Sequence, residues 1–463
     1  MSELHDLTAV EQGGAVRRGE VSPRELAGHY LARVDEVGAF VTRTPQLALA
    51  RAELLLPVPE GAGPLYGVPT AIKDLNLTAG VRTTFGSAAF ADFVPEVSDA
   101  VTLAIESAGM VSLGKTNTPE FGSPCYTEPD VGPPAVTPWD TSRMAGGSSG
   151  GAAAAVAAGL VPVAQGSDGV GSIRIPASCC GMVGLKPTRG RVSGHPLYGE
   201  VTGLATAGTL ARTVRDAAAL LDVLAGQVVG DPSWAPAPDE PFLDSCRREP
   251  GRLRVARFLE PVIADVEVDP ECVAAYESAS ALLASLGHEV EDIAVPMPRE
   301  AVPTFETCWA VLTALSTVPP EREPLLRPLT RWLAARGRAV SGPEFGLALS
   351  AMRRFAAGCL ASLAPYDAVL TPTLAVPPLP VGALRDDDDP AGDFEAQKAF
   401  TPWTSAWNVT GMPAVSLPLH WTPGGLPVGV MLAGRPAQEG LLLSLAAQVE
   451  AASPWVGRRP PGW

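Results

Sequence analysis

Hydrophobic and polar positions along the chain predict helices and strands in regular alternation. Apolar residues recur at helical spacing after Ser22 and Pro23, which suit the N-cap and the first helical position. The stretch VPTAI then predicts a buried strand that ends at Lys73 and Asp74. Residues 99–122 predict a helix, a glycine stop, the strand MVSLG and a loop. This order is typical of an α/β protein.

The same order recurs in the second half of the chain. LRVARF predicts a strand, DPECVAAYESASALLASLG a helix and HEVEDIAV another strand, and residues 301–365 are expected to be mostly helical. The segments 226–251 and 376–393 are rich in Pro and Asp and predict surface loops. The second contains RDDDDP, which indicates a solvated acidic loop, since a metal site would need ligands that converge in space. The whole pattern predicts a layered α/β sheet.

Length and charge limit the classes of protein to which the chain can belong. Its 463 residues are compatible with one extended domain or with two closely packed ones. With 34 Lys and Arg against 50 Asp and Glu, the formal net charge is −16. Such a charge repels polyanions, so we expect no direct binding of nucleic acid.

Cysteine usage and apolar runs predict a cytoplasmic protein. The seven cysteines are odd in number and have no CxxC spacing, which argues against a disulfide framework and a zinc site. The start MSELHDLTAVEQ lacks the basic segment and apolar core of a secretory signal. GAAAAVAAGLVPVA is short and contains Gly159 and Pro162, so it predicts a buried helix and a strand instead of a membrane span. We therefore expect no membrane partner.

Two glycine-rich serine segments, GGSSGG and GSDGVGS, are the strongest candidates for chemistry. They contain Ser148 and Ser172, on either side of an alanine-rich helix and a strand. A phosphate-binding loop would require GxxxxGK[ST], and no lysine follows the glycines. A flexible linker does not usually run directly into a helix and a strand. Catalysis by serine fits better, because glycines let backbone N–H groups approach a substrate carbonyl.

A serine nucleophile needs a base, and the sequence offers a lysine. None of the five histidines lies in a triad motif of the GxSxG type. If Lys73 is desolvated at the end of its apolar strand, its pKa falls and its neutral amine can accept a proton near pH 7. A structural alternative fits the sequence equally well, in which Lys73 pairs with Asp74 or another carboxylate.

At these residues the chain resembles the amidase signature family of serine hydrolases. The resemblance is carried by GGSSGGAAAAVAAGLVPVAQGSDGVGSIRIPASCCGMVGLKPTRGRVS, GPLYGVPTAIKDLNLTAGVRTTFGS, LGKTNTPEFG and VTPWDTSRMAGGSSGG. It continues through WTSAWNVTGMPAVSLPLHWTPGGLPVGVMLAGRP and runs from about Leu7 to Glu450. The resemblance implies a single amidase domain over residues 1–463, with a large mixed central β-sheet flanked by helices on both faces. It also implies a variable helical region for substrate specificity at about 260–400.

The resemblance further implies roles for the three candidate residues. Ser172 is expected to be the nucleophile, Ser148 the middle serine, with a cis peptide bond, and Lys73 the base. Ser148 would carry a proton between Ser172 and Lys73, an acyl-enzyme would form on Ser172, and water would release the acid. The expected reaction is hydrolysis of a linear carboxylic amide, a small molecule, without cofactor or metal.

The same resemblance implies further site residues. The oxyanion hole is expected to consist of the backbone N–H groups of Gly169, Val170, Gly171 and Ser172. Asp168 and Arg174 are expected to support this loop, and Ser149, next to the middle serine, to form a hydrogen bond into the proton relay. Ser149 has the alternative role of capping the alanine-rich helix. The family usually has glycine in place of Val170. A valine still supplies an N–H group, but it would be strained if the position required a positive φ.

The substrate pocket and the exact function stay open at the level of sequence. Candidate pocket residues are Cys125, Trp309, Trp403 and Trp407, for each of which core or surface packing is an equal alternative. Homodimers are common in the family, and the chain is compatible with one. Three other functions are compatible with the same residues: the catalytic subunit of a tRNA-dependent amidotransferase, an acyltransferase that forms amides, and a catalytically impaired amidase-like binding protein.

Overall fold

The computed structural model describes residues 3–197 and 200–463. The α-helices in these ranges are α1 (Ala9–Arg17), α2 (Pro23–Leu31), α3 (Pro45–Glu53), α4 (Ala100–Ser107), α5 (Gly150–Ala157), α6 (Arg174–Cys180), α7 (Val214–Leu224), α8 (Phe242–Ser245), α9 (Pro270–Ser285), α10 (Ala301–Leu315), α11 (Pro328–Arg338), α12 (Gly342–Leu363), α13 (Pro390–Phe400), α14 (Ala406–Val409) and α15 (Glu439–Ala452). The strands are β1 (Phe40–Arg43), β2 (Pro69–Lys73), β3 (Val111–Thr116), β4 (Val163–Asp168), β5 (Val183–Lys186), β6 (Thr206–Ala211), β7 (Arg254–Arg257), β8 (Glu289–Asp292), β9 (Ala368–Pro372), β10 (Ala414–Trp421) and β11 (Pro427–Gly434).

Within the described ranges the strands form two sheets. The larger has eight strands in the order β4-β6-β5-β10-β11-β9-β7-β8, and the smaller has three in the order β1-β3-β2. From β4 to β9 the neighbours in the larger sheet pair antiparallel, whereas β9, β7 and β8 pair parallel. The large mixed sheet confirms the predicted fold class.

Side-chain alternation along the strands explains why helices cover both faces of the large sheet. Successive residues of a strand point to opposite faces. In β11, Val430 and Leu432 pack in the core cluster that includes α7, α9 and α15. Met431, between them, packs in the cluster that includes α10, α12 and α14. Every residue of β11 is buried, as expected for a central strand that is covered on both sides.

Local sequence signals set the start of α2, as predicted. The Ser22 side chain accepts a hydrogen bond from the N–H of Glu25, and the Glu25 carboxylate accepts one from the N–H of Ser22. This reciprocal capping box, with Pro23 at the start of the helix, satisfies N–H groups that have no partner within the helix. The helix ends at Leu31, and β1 begins at Phe40.

The strand that ends at Lys73 lies in the small sheet, so the two sheets meet at this residue. β2 and β4 share no strand ladder. Instead, the hydroxyl of Thr70 donates to the carbonyl of Val163 at 3.0 Å, and the N–H of Lys73 donates to Oε1 of Gln165 at 2.9 Å. Val163 and Gln165 belong to β4. These two bonds fix the end of β2 against the edge of the large sheet.

The helical prediction is confirmed, whereas the two predicted loops are only partly irregular: 226–251 also contains the short buried helix α8, and 376–393 ends in the first turn of α13. α10, α11 and α12 occupy most of residues 301–365, which confirms the helical prediction. The acidic loop in 376–393 contacts arginine and a helix end: Asp387 lies 2.6 Å from the Arg327 guanidinium, and Asp389 accepts the N–H of Gly392 at the start of α13. The acidic run is therefore a loop that is fixed by local contacts.

Two chain-wide properties complete the description. All seven cysteines are free thiols, and six of them are buried. Burial raises the pKa of the Cys180 thiol to about 12, so this group stays protonated at neutral pH. Among the described residues, every helix is too short or too polar to cross a membrane.

Candidate active site

Lys73 lies at the end of β2 and is completely buried. Its Nζ is 2.8 Å from Oγ of Ser148 and 3.0 Å from Oγ of Ser167. Burial lowers the pKa of Lys73 to about 7, although the negative charge of Asp168 opposes this shift. A substantial fraction of the amine is therefore neutral near pH 7 and is able to accept a proton from a hydroxyl group.

The neighbouring carboxylate is not the partner of Lys73. Asp74 accepts hydrogen bonds from the N–H and the hydroxyl of Thr84, at 2.8 and 2.5 Å. Its other carboxylate oxygen lies 3.6 Å from Nζ of Lys115. β2 ends at Lys73, and Asp74 begins the turn that follows, where it contacts Thr84 and Lys115 instead of Lys73. The structural alternative, in which the two residues pair, is wrong.

Ser148 and Ser149 precede α5 and make different contacts. The peptide bond between Gly147 and Ser148 is cis. A Cβ atom at Gly147 would lie 2.7 Å from the backbone nitrogen of Tyr126, so this position requires glycine. Oγ of Ser149 donates to the carbonyl of Ser167 at 3.1 Å and accepts its N–H at 3.2 Å. Ser149 thus joins the segment to β4; it makes no side-chain cap on α5, so the capping alternative is wrong.

Ser172 lies in the turn between β4 and α6, where only 4% of it is exposed. Its carbonyl accepts the N–H of Ser149 at 3.0 Å, which connects the two serine segments. Ser148 and Ser172 both line a cavity of about 220 Å³. Their hydroxyl groups share no hydrogen bond in the described structure. Lys73 therefore contacts Ser148 directly, and Ser172 meets Ser148 at the same cavity.

A buried ion pair fixes the loop that carries Ser172. Oδ1 of Asp168 lies 2.8 Å from Nη2 of Arg174, and neither side chain is exposed. The same carboxylate accepts the N–H groups of Gly171 and Ile173, at 2.7 and 3.1 Å. Burial opposes ionisation of Asp168, but the charge and hydrogen bonds of Arg174 hold its pKa well below its usual range. A permanent negative charge therefore anchors the backbone on both sides of Ser172.

Two residues that the sequence did not single out complete this anchor. Asn408 donates from Nδ2 to Asp168 at 2.9 Å, and its Oδ1 accepts from Arg174 at 2.6 Å. Oγ1 of Thr404 donates to the carbonyl of Val170 at 2.6 Å. Both lie in the stretch WTSAWNVTG. Its resemblance to the family was the only signal, and it does not indicate which side chains reach a loop more than 200 residues away.

The backbone N–H groups around Ser172 are not equivalent. Among the described residues, the N–H groups of Gly169, Val170 and Ser172 have no backbone or side-chain acceptor. Gly171 instead donates to Asp168. An N–H group that is already bonded to a buried carboxylate is not free to stabilise an oxyanion. The predicted set of four donors is therefore corrected to three, without Gly171.

Val170 does not strain the loop. It is not among the non-glycine residues that have a positive φ, so its backbone lies where valine is readily accommodated. The position that requires glycine is the next one. Gly171 has a φ of 129°, and a Cβ atom there would lie 2.5 Å from Oγ1 of Thr404. The unusual valine is thus compatible with the loop geometry.

One face of α10 forms a wall of the cavity. Trp309, Leu312, Thr313 and Ser316 line it at the spacing i, i+3, i+4 and i+7, which places them on one side of a helix and its C-terminal cap. The remaining lining residues are Leu75, Phe121, Gly122, Ser123, Ser148, Ser167, Gly169, Ser172, Glu200, Leu204 and Ala205. The sequence indicated Trp309 but not its three companions, because which face of α10 points to the cavity depends on tertiary packing.

Of the four candidate pocket residues, only Trp309 lines this cavity in the described structure. Cys125 is 6% exposed and lies in the interior. Trp403 and Trp407 are completely buried in the core cluster on the α10 side of the large sheet. The indole N–H of Trp403 donates to the carbonyl of Glu260 at 3.1 Å. These three side chains are corrected to core residues, because packing within the interior holds them away from the cavity lining.

Among the described residues, the one cluster of potential metal ligands lies away from these serines. Glu3, His5 and His29 place ligand atoms within 4.8 Å of one another. A guanidinium nitrogen of Arg33 lies 3.1 Å from Nε2 of His5, however. This charge, after burial itself, lowers the pKa of His5 to about 4. A guanidinium at this position competes with a metal cation for the imidazole, so the cluster does not fit a metal ion well.

Comparison with known protein families agrees with this geometry. The model of the Amidase family matches residues 25–443, which is most of the chain. The fold is that of a class of amide hydrolases, and the chain belongs to the amidase, or amidase signature, family.

Individual relatives match over nearly their full length. The chain is 38% identical to the 6-aminohexanoate-cyclic-dimer hydrolase of Paenarthrobacter ureafaciens, covering 98% of this chain and 96% of that protein. It is 35% identical to a glutamyl-tRNA(Gln) amidotransferase subunit from a Synechococcus strain, over 96% of both chains. A solved structure of 6-aminohexanoate cyclic dimer hydrolase with its substrate superimposes with a TM-score of 0.91, at 35% identity and 99% coverage of both chains.

Proposed function

We propose that the protein hydrolyses a carboxylic amide through an acyl-enzyme on Ser172, with Ser148 and Lys73 as the other members of the triad. The observation that carries the proposal is the 2.8 Å contact between Nζ of Lys73 and Oγ of Ser148, at a cavity that Ser172 also lines. Membership of the amidase family supports amide hydrolysis as the reaction class.

The proton path follows from these positions. Neutral Lys73 accepts the proton of the Ser148 hydroxyl, and Ser148 in turn accepts the proton of Ser172 as Ser172 attacks the substrate carbonyl. The C–N bond then breaks, and the proton returns through Ser148 to the leaving amine. Water attacks the ester on Ser172 by the reverse path and releases the acid. The lowered pKa of Lys73 lets it take the proton near pH 7 and give it back.

The negative charge that develops on the carbonyl oxygen needs preorganised donors. The free N–H groups of Gly169, Val170 and Ser172 supply them, and the anchor of Asp168 and Arg174 keeps their backbone in place. Loss of one such donor costs about 10²- to 10³-fold in kcat in enzymes of this general type. The chemistry requires no metal at the serines, because the transferred protons move between side chains.

The decisive experiment is labelling of the nucleophile. The intact mass of the protein is measured after exposure to a fluorophosphonate, with wild type compared with Ser172→Ala, Ser148→Ala and Lys73→Ala. We expect one adduct on wild type, none on Ser172→Ala and slow labelling of the other two. An adduct that persists in Ser172→Ala would refute the assignment of the nucleophile. No adduct on folded wild type would favour an impaired, amidase-like binding protein.

The shape of the amide is a separate question. The relative from Paenarthrobacter is named for a cyclic dimer, so cyclic amides belong in the test beside the linear amides that we propose. The 220 Å³ cavity at Ser172 adjoins a larger one, which leaves room for either shape. Hydrolysis rates for linear anilides and for cyclic diamides, measured with Ser172→Ala as the blank, decide between them.

A second candidate is the catalytic subunit of a tRNA-dependent amidotransferase, favoured by 35% identity to one protein of that name. Such a protein would release ammonia from glutamine and depend on a partner. The purified chain is therefore assayed with glutamine and with anilides. Glutaminase activity alone would favour the amidotransferase, whereas hydrolysis of anilides by the chain on its own favours the amidase. Added amines that divert the acyl group from water would reveal acyl transfer.

A further inference from the structure

We propose that Glu200 selects substrates that carry a positively charged group, such as a primary ammonium, at a distance from the scissile amide. The inference rests on the proposed function, since it concerns the substrate of the same cavity. Glu200 contributes the only charged side chain among the described residues that line the cavity at Ser172. A single carboxylate on an otherwise neutral wall gives the cavity a preference for one sign of charge.

The carboxylate is held in place but keeps capacity for a ligand. Oε1 of Glu200 accepts hydrogen bonds from the N–H and the hydroxyl of Thr202, the former at 3.0 Å. Among the described residues, Oε2 accepts a single hydrogen bond, from the N–H of Ala205 at 3.4 Å. Glu200 is partly exposed and forms no ion pair within 4 Å among the described residues. An ionised carboxylate offers about four lone-pair sites, so Oε2 retains room for an ammonium donor.

Glu200 lies at the junction of two cavities. Leu75, Ser167, Glu200 and Ala205 line both the cavity at Ser172 and a neighbouring one of about 840 Å³. A substrate whose carbonyl lies at Ser172 and whose chain extends into the larger cavity must pass this carboxylate. Glu200 therefore acts on the chain beyond the amide and takes no part in the proton path.

The other charges of the larger cavity do not neutralise Glu200. Arg189 also lines it, but its guanidinium donates to the carbonyls of Gly203, Asn408 and Val409. Burial lowers the pKa of Arg189, and Glu200 opposes this shift, so the two charges sense each other at longer range. Arg353 is exposed on α12, and Asp99 and Asp231 add negative charge to the same wall. The junction thus remains suited to a cation.

The test compares three anilides of equal chain length. 6-Aminohexanoyl p-nitroanilide carries an ammonium, heptanoyl p-nitroanilide a methyl group and the mono-p-nitroanilide of heptanedioic acid a carboxylate at the end of the chain. We expect wild type to favour the first over the second by about two- to fivefold in kcat/KM, the range of a partly exposed ion pair, and to disfavour the third. The difference should lie mainly in KM, because the ion pair forms in the ground state.

Glu200→Gln should bring the first two rates together and raise the rate on the acidic anilide, while the heptanoyl anilide changes less than about twofold. Glu200→Asp, which keeps the charge, should retain part of the preference. Glu267→Gln is the matched control, since Glu267 is exposed and lines neither cavity. Added salt should weaken the preference of wild type, because mobile ions screen an exposed pair.

An unchanged ratio of cationic to neutral rates in Glu200→Gln would overturn the inference and leave the proposed function intact. Failure of the proposed function has a different signature. In that case Ser172 does not react with the fluorophosphonate, and none of the three anilides is hydrolysed by any variant.

Discussion

Nζ of Lys73 lies 2.8 Å from Oγ of Ser148, although the two residues belong to parts of the fold that share no strand ladder. Lys73 ends a strand of the small sheet, and Ser148 precedes a helix that packs against β4 of the large sheet. The bonds of Thr70 and Lys73 to β4 hold the sheets at this distance. The site therefore depends on the packing of the two sheets as much as on either segment.

The activity should follow the protonation of Lys73. Because burial lowers its pKa to about 7, we expect kcat/KM for a non-ionising amide to rise with pH from about 6 to 8 and then to level off. Lys73→Arg keeps a proton at all these pH values and should lose at least about 10²-fold in kcat/KM.

Lys186 provides the matched control for this assignment. Burial also lowers its pKa to about 7, but its Nζ donates to the carbonyl of Pro187 and does not line the cavity. Lys186→Met should keep the midpoint of the pH profile. If the midpoint moved in Lys186→Met but stayed in a Lys73 variant with residual activity, Lys186 would be the titrating group and the assignment to Lys73 would be wrong.

The same lysine should reduce the stability of the protein. Its pKa is near 10.5 when unfolded and about 7 when folded, so the unfolded state binds more protons between these values. The destabilisation by Lys73 is therefore largest below pH 7, and it disappears as the pH approaches 10.5. Lys73→Met should be inactive and yet raise the free energy of unfolding by about 1–3 kcal/mol at pH 7.

Urea unfolding of wild type and Lys73→Met at pH 7 and pH 9.5 measures this effect. The gain from methionine should shrink at the higher pH, because the unfolded lysine is then closer to neutral. Equal gains at both pH values would show that packing, and not charge, determines the change in stability.

Gly171 and Val170 should respond to substitution in opposite ways. Gly171→Ala adds a Cβ atom 2.5 Å from Oγ1 of Thr404 at a φ of 129°, so we expect a loss of at least about 10²-fold in kcat as the oxyanion donors move. Val170→Gly should change kcat less than about threefold, because its φ is not positive and its N–H is retained. Steady-state rates, with circular dichroism to verify folding, test both; a large effect of Val170→Gly alone would reverse the assignment.

Removal of Arg174 should affect stability and activity together. Arg174→Met leaves Asp168 buried without its counter-ion and should lower the free energy of unfolding by about 3–5 kcal/mol. Arg191 and Glu439 form a second buried ion pair that lines neither cavity, so Arg191→Met is the matched control. Its folded fraction should keep the kcat of wild type, whereas that of Arg174→Met should not. Equal kcat values for the two folded variants would show that the Asp168 anchor serves stability alone.

The tryptophans should divide according to their positions. Trp309→Ala opens the cavity wall and should raise KM for amides by about tenfold, because the substrate loses its contact with the aromatic ring. Trp403→Ala removes a completely buried side chain and should lower the free energy of unfolding by about 3–5 kcal/mol. Chemical denaturation and steady-state kinetics on both variants separate the two roles. A KM effect confined to Trp403→Ala would contradict them.

The sequence predicted the parts of this protein that depend on local order. The helix start at Ser22, the strand that ends at Lys73 and the mixed α/β architecture follow from periodicity, capping and the family-like segments. It also brought Lys73, Ser148 and Ser172 to attention, since the two glycine-rich serine segments and a lysine at the end of an apolar strand are visible in the sequence.

Contacts between distant segments were beyond the sequence. Whether a tryptophan faces the cavity depends on tertiary packing: Trp309 lies on α10 and lines the cavity, whereas Trp403 lies in the turn before α14 and is buried in the core. The carboxylate of Asp168 was expected to support the loop, but its bond to the N–H of Gly171 depends on a turn whose dihedral angles no pattern specifies. Glu200 had no signal at all, because a single acid in a loop is usually solvated.

The helical wall of α10 has a consequence for how such enzymes diversify. Its four lining positions belong to an element other than those that carry Lys73, Ser148 and Ser172. A lineage can therefore exchange these side chains, one turn at a time, while the proton path keeps its geometry. A new range of amide substrates would then require changes only in a short stretch of one helix. The residues that carry out the reaction would stay the same.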